Sequence, residues 1–430
     1  MSNTKNCKQA ASQPRQHVDR RSFVVLSCAG AVAFAGLVLS GCGNASHGSG
    51  SLQGAQGMLS PAEEERLNAT AQDQIELRIQ EIMNGMSLEH KVAQLFIARP
   101  ESLVGVDVAI QAGAQTKDAL LNMPIGGLIY FGPNLIDTNQ TTEMLSNTMQ
   151  YALDANGIPL FLCVDEEGGT VSRIGGSPGF GVSNVGNMSD VGATNDPGFA
   201  QSVATVIAEY LNPLGFNVNF APVCDIANNP NSDVMFYRSF GSSADQVASM
   251  AEAQVRSFIE ANMMCSAKHF PGIGAAEGDS HDVSITSLKS IDEMSEVELV
   301  PFKAAIDADI PFIMVGHLSM PTITGSNTPA PLCPEIVQGL LRESMGYEGL
   351  IITDSLGMAS VSEYYSSSQS AVLALAAGCD IALMSPDLGA AYQGVLEAIS
   401  NQTLSEERID QSVRRVLRTK LKFLGELFVR

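Results

Sequence analysis

Short apolar runs, separated by stretches of helical length, recur along this chain from about residue 125 to its end. Seven of them read as strands: 125–131, 158–164, 217–222, 263–267, 310–315, 350–353 and 381–384. Each is too short for a helix and nearly continuous in apolar residues, the pattern of strands buried on both faces. The segments between them can hold crossover helices, for example 197–210 and 243–261. Upstream, residues 61–86 are helical and charged, and Ser87-Leu88-Glu89-His90 opens a second helix with Ser87 as its N-cap. A last helix is expected over 406–423. Strands alternating with helices predict a parallel sheet covered on both faces. Seven or eight such units over about 350 residues predict an α/β fold of the (β/α)8 barrel type in one domain, 61–430. The open doubly wound sheet is the alternative. No short internal repeat is present.

The first 60 residues differ in kind. Arg20-Arg21-Ser22-Phe23 is a twin-arginine pattern, followed by an apolar run to Leu39 and then by Leu39-Ser40-Gly41-Cys42. A basic start, an apolar core and a small-residue site read as an export signal over 1–41. Leu-Ser-Gly-Cys resembles a bacterial lipobox, which implies a lipid on Cys42 and a protein tethered to the membrane outside the cytoplasm. The competing reading is an uncleaved span, since the run approaches the ~20 residues that cross a bilayer. Residues 42–60, rich in Gly, Ser, Ala and Gln, read as a flexible tether. Removing 1–41 deepens the formal charge from −22 to −26. So acidic a chain lacks the basic footprint of nucleic-acid binding. Of eight cysteines, five fall in the domain with no C-x-x-C pair, so neither a disulfide framework nor a zinc site is expected. They read as buried thiols, and no catalytic cysteine is expected.

Several candidate strands end in ionisable residues, and in parallel barrels the strand C-termini carry the chemistry. The run 161–164 leads into Asp165-Glu166-Glu167-Gly168-Gly169, and 263–267 into Lys268-His269. Met314-Val315-Gly316 leads into His317, and 350–353 into Asp354. Each has a plainer reading: Asp165 or Asp354 as a helix cap, Lys268 as a solvated cation, His317 as a satisfied core histidine. Their joint placement on one rim points to a site. Beyond Lys268-His269-Phe270-Pro271-Gly272-Ile273-Gly274 lies Asp279-Ser280-His281. In an extended backbone residues two apart face the same way, so Asp279 could hydrogen-bond His281 and make it a proton-transfer group.

These segments, in this order, resemble the β-N-acetylglucosaminidases of glycoside hydrolase family 3 over about 82–424. The opening helix Met86-Ser87-Leu88-Glu89-His90-Lys91-Val92-Ala93-Gln94-Leu95-Phe96 is similar, as are Gly126-Gly127-Leu128-Ile129-Tyr130-Phe131 and Val164-Asp165-Glu166-Glu167-Gly168-Gly169 with Arg173. So are Asn219-Phe220-Ala221-Pro222-Val223-Cys224-Asp225, Arg238-Ser239-Phe240-Gly241, the Lys268–Gly274 block, Asp279-Ser280-His281, and Thr353-Asp354-Ser355-Leu356-Gly357-Met358. The resemblance implies a retaining glycosidase with Asp354 as nucleophile, His281 as acid/base and Asp279 as its orienter. It implies Asp165, Arg173, Arg238, Lys268 and His269 as sugar-binding groups, no metal, no organic cofactor, a GlcNAc-containing glycan as substrate, and a monomer. Peptidoglycan fragments fit a cell-surface location. A family 3 β-glucosidase, a phosphorolytic enzyme and an inactive sugar-binding lipoprotein are the rival readings. Ile273 stands where the family usually has His, and residues 228–237 match its pattern less well.

Overall fold

The computed structural model describes residues 61–229, 233–274 and 285–428, within one compact unit, Ser60–Arg430. The expected signal, tether and Cys42, and the pair Asp279 and His281, lie outside the described residues.

Eight parallel strands form one sheet: β1 (Phe96–Ala98), β2 (Gly127–Tyr130), β3 (Phe161–Val164), β4 (Val218–Asn219), β5 (Met264–Phe270), β6 (Phe312–Val315), β7 (Leu350–Thr353) and β8 (Ala382–Leu383). Neighbours in sequence are neighbours in space, and β8 pairs with β1 at Phe96↔Ala382 and Ile97↔Leu383. The last seam, between β7 and β8, is made by the Ile352↔Ile381 bridge and by Thr353 N–H donating to the Ile381 carbonyl at 3.1 Å. The sheet thus curls into the (β/α)8 barrel that the strand–helix alternation predicts.

All seven expected strands are present, shorter than their apolar runs at several ends. The eighth, β1, falls where the sequence reading continued the opening helix through Phe96. That helix is only Leu88–Ala93, capped by the Ser87 hydroxyl accepting from His90 N–H. Three residues, Phe96-Ile97-Ala98, then suffice for a barrel strand because both flanks supply backbone partners. A second difference matters for the site. β5 continues beyond Ala267, so Lys268 and His269 belong to the strand itself rather than to the loop after it.

Inside the barrel Phe161 packs edge-on against Phe312 at 5.2 Å between ring centres, and Phe220 does the same at 6.5 Å. The floor is closed by Lys420, on the helix Glu406–Leu424, which donates to Gln94 Oε1 and the Gly126 carbonyl and sits 4.8 Å over the Phe161 ring. Within the β5–β6 connection, Ile285–Thr286 pairs in parallel with Leu318–Ser319, which follows β6.

Candidate active site

The C-terminal ends of β3, β4, β5 and β7 converge on one rim. At the end of β3, Glu166 is wholly buried and organises the loop that follows. It accepts hydrogen bonds from the Ser172 and Tyr210 hydroxyls and from the backbone N–H groups of Arg173, Ile174 and Gly175. Gly168 and Gly169 have φ of +93° and +57°, the left-handed backbone that lets the chain turn back here. The loop so formed brings Arg173 to the rim, its guanidinium 5.6 Å from the centre of the Phe131 ring. Arg99, after β1, approaches the same ring at 5.5 Å.

Glu167 is the electrostatic centre. Arg238 donates to it through Nε and Nη2, both at 2.8 Å, and Lys268 Nζ lies 2.7 Å from its Oε1. The same Lys268 Nζ donates to Asp165 Oδ1 at 2.7 Å. Lys268 is buried, so the solvated reading fails. Burial works against each of these charges, and pairing overcomes it. For Glu167, Arg238 and then Lys268 outweigh burial and hold the carboxyl far below its usual range. For Arg238, Glu167 outweighs burial and raises the guanidinium. For Lys268, Asp165 and Glu167 outweigh burial and raise the amine. Glu167, Arg238 and Lys268 are thereby charged at any physiological pH, a fixed array to which Asp165 is joined through Lys268.

His269 joins it from the other side. Its Nδ1 is 2.7 Å from Asp225 Oδ2, and its Nε2 is 3.4 Å from Arg238 Nη2. Asp225, entirely buried after β4, also accepts from the backbone N–H groups of His269 and Ile273. At position 273 it is this backbone N–H, not the side chain, that serves the cluster; the isoleucine side chain is buried in the core. Gly274 is needed next to it, because a Cβ there would stand 2.0 Å from the Ile226 carbonyl oxygen.

Asp354 follows β7. Its backbone N–H donates to the Val315 carbonyl at 2.9 Å, and its Oδ1 accepts from the Ser355 N–H at 2.7 Å. Burial would raise its carboxyl, but His269, His317, the Ser355 N–H and Lys268 together outweigh burial and keep it below the ordinary carboxylate range. His317 Nε2 lies 2.7 Å from the Ser355 carbonyl, which only accepts, so Nε2 carries the proton and the ring steadies the turn after Asp354. Two clefts flank the rim. One, about 550 Å³, is lined by Arg99, Ser355, Met358 and Met384. The other, about 760 Å³, is lined by Phe131, Ser172, Arg173 and Asn184.

Asp165, Arg238, Lys268 and His269 therefore share one connected cluster, with Asp354 under the influence of His269 and Lys268. Arg173 stands apart from it in a cleft wall. Three residues not singled out as site residues from the sequence hold the cluster: Glu167, Asp225 and Glu166. Asp225 had a readable signal, since it follows the apolar run 217–222 as Asp165 follows 161–164.

A family model, "Glycosyl hydrolase family 3 N terminal domain", matches residues 87–419. The chain belongs to glycosyl hydrolase family 3. It is 34% identical to Beta-hexosaminidase A of Pseudoalteromonas piscicida over 72% of this chain and 55% of that one. It is 30% identical to Beta-hexosaminidase LpqI of Mycobacterium tuberculosis over 78% and 83%, respectively. A solved family 3 β-N-acetylglucosaminidase from Paenibacillus sp. superposes with a TM-score of 0.74 at 34% identity, covering 79% of this chain and 63% of that one. The chain thus spans about half the length of the first of these relatives.

Proposed function

We propose that this family 3 protein is a retaining exo-β-N-acetylglucosaminidase that releases terminal β-linked GlcNAc. The observation that carries the proposal is Asp354: a carboxylate kept ionised at a strand end, beside a cluster of fixed charges suited to sugar hydroxyls. The choice of amino sugar is supported by relatives named as β-hexosaminidases and by Asp279-Ser280-His281 in the sequence. Asp354 attacks the anomeric carbon while His281, oriented by Asp279, protonates the departing oxygen. A glycosyl ester on Asp354 results. His281 then takes a proton from water, which displaces Asp354 and frees the sugar with its anomeric configuration retained. Asp165, Lys268, Arg238 and His269 hold the terminal sugar by charge-assisted hydrogen bonds, and Arg173 contacts it or its neighbour from the cleft wall. No step calls for a metal or organic cofactor.

The natural substrate in this proposal is a peptidoglycan fragment, met outside the cytoplasm by a monomer anchored through lipid on Cys42. The test of activity is release of nitrophenol from nitrophenyl β-GlcNAc and nitrophenyl β-glucoside, with and without phosphate. The expected result is phosphate-independent release from the GlcNAc compound with strong preference over the glucoside. Absence of release from it overturns the proposal, and phosphate-dependent formation of GlcNAc-1-phosphate replaces hydrolysis by phosphorolysis. Labelled palmitate incorporated by the wild type and lost in Cys42→Ala tests the anchor.

A further inference from the structure

Asp225 takes no part in the mechanism above, yet it is completely buried, and among the described residues its carboxylate is bound by His269 on β5 and by Ile273 just after that strand. Oδ1 accepts from the Ile273 N–H at 2.7 Å, and Oδ2 from the His269 N–H at 3.1 Å. Backbone amides only donate, so both oxygens are committed as acceptors. Oδ2 also faces His269 Nδ1 at 2.7 Å. With Oδ2 accepting, and with Arg238, which only donates, facing the other ring nitrogen, the hydrogen in this contact sits on Nδ1. The lone pair of the ring is then on Nε2. The group facing that nitrogen is Arg238 Nη2, at 3.4 Å, which only donates.

We propose that Asp225 is a positioning residue that holds His269 in the Nδ1–H tautomer, so that Nε2 presents an acceptor to the sugar. The sugar group that meets His269 is accordingly a hydroxyl that donates to Nε2 in place of the long 3.4 Å contact from Arg238. The polarity then alternates without a break: Asp225 accepts, His269 donates and accepts, Arg238 donates, Glu167 accepts, Lys268 donates, Asp165 accepts. Reversing one member sets donor against donor at the next contact. The tautomer stands on this geometry alone; the role of the acceptor rests on the function proposed above.

Asp225→Asn tests it with an isosteric change. The carboxamide accepts from the backbone N–H groups through oxygen and donates through nitrogen to Nδ1, which moves the ring proton to Nε2, facing the Arg238 donors. In the intact wild-type protein, ¹⁵N-histidine NMR should show His269, assigned by its loss in His269→Gln, as the Nδ1–H tautomer. The variant should show Nε2–H. Its kcat/KM on nitrophenyl β-GlcNAc should fall by about 100-fold or more, as when a carboxylate partner of an active-site histidine is amidated, with the thermal midpoint within a few degrees of wild type. A wild-type His269 in the Nε2–H form overturns the proposal even if the variant does not fold. A folded variant that keeps Nδ1–H and full kcat/KM overturns it as well. If the wild type shows the Nδ1–H form but no GlcNAc release, the functional reading fails and the tautomer assignment stands.

Discussion

Glu167 carries two cations on one carboxylate that is 2% exposed, and this makes it the residue on which the rim depends most. Replacing one partner in such a buried cluster leaves the others desolvated and unpaired, which costs about 3–5 kcal/mol. Glu167→Gln keeps the shape but offers a single acceptor to three donating contacts from Lys268 and Arg238. Urea unfolding should show a loss of about 3 kcal/mol, and steady-state kinetics should show KM raised about 10-fold or more as both cations lose their aim. Wild-type stability and KM would contradict this. Asp165, Lys268 and Asp354 were legible in the sequence because each directly follows an apolar run, with His269 next to Lys268, and strand ends are where a barrel keeps its chemistry. Their partners were not, because the pairing is long-range. Glu167 meets Arg238 across 71 positions and Asp225 meets His269 across 44, and no local pattern carries that information. The solvated reading of Lys268 erred for the same reason, since nothing near it in sequence announces Asp165 and Glu167.

At the scale of elements, residues 197–210 and 243–261 form the expected helices, as Pro197–Leu211 and Ala244–Glu260. β7 matches its apolar run residue for residue. β1 was not legible, because Leu95-Phe96-Ile97-Ala98 continues the apolar pattern of the helix before it and three residues carry too little periodicity to separate strand from helix. Its place is set instead by close backbone approach. A Cβ on Gly126 would stand 2.1 Å from the Gln94 carbonyl oxygen. The Gly126 N–H donates to the Phe96 carbonyl, and its own carbonyl accepts from Phe161 N–H and Lys420 Nζ. Gly126→Ala must therefore push β1 and β2 apart. Thermal or urea unfolding should register a loss of about 2 kcal/mol or more, whereas unchanged stability would mean that the two strands have slack.

At the scale of the molecule the barrel divides its labour, with the candidate site at the strand C-termini and ionic clamps at the opposite end. There buried Asp380 is clamped by Arg342 at 2.8 Å and Arg415 at 3.0 Å and accepts from the Ser412 hydroxyl. Lys420 plugs the floor with no carboxylate partner among the described residues, and burial pushes its amine down to about 7. Between about pH 7 and the ordinary lysine range the unfolded chain holds a proton that the folded chain lacks. Stability should therefore rise with pH through that window, by at most about 1.4 kcal/mol per unit, and the penalty is complete below pH 7. Unfolding free energies at pH 7 and 9 should differ between wild type and Lys420→Met in this sense, and equal pH slopes would contradict it. The barrel itself could be read from strand–helix alternation, but this floor could not, since Lys420 reaches Gln94 across 326 positions. The central claim, that Asp354 becomes covalently glycosylated, is tested most directly by mass spectrometry of the enzyme quenched with a slow fluorinated GlcNAc donor. The account predicts one N-acetylhexosamine-derived adduct, on the peptide containing Asp354 and absent in Asp354→Asn. An adduct on another residue, or turnover of the donor with none at any time point, would contradict it.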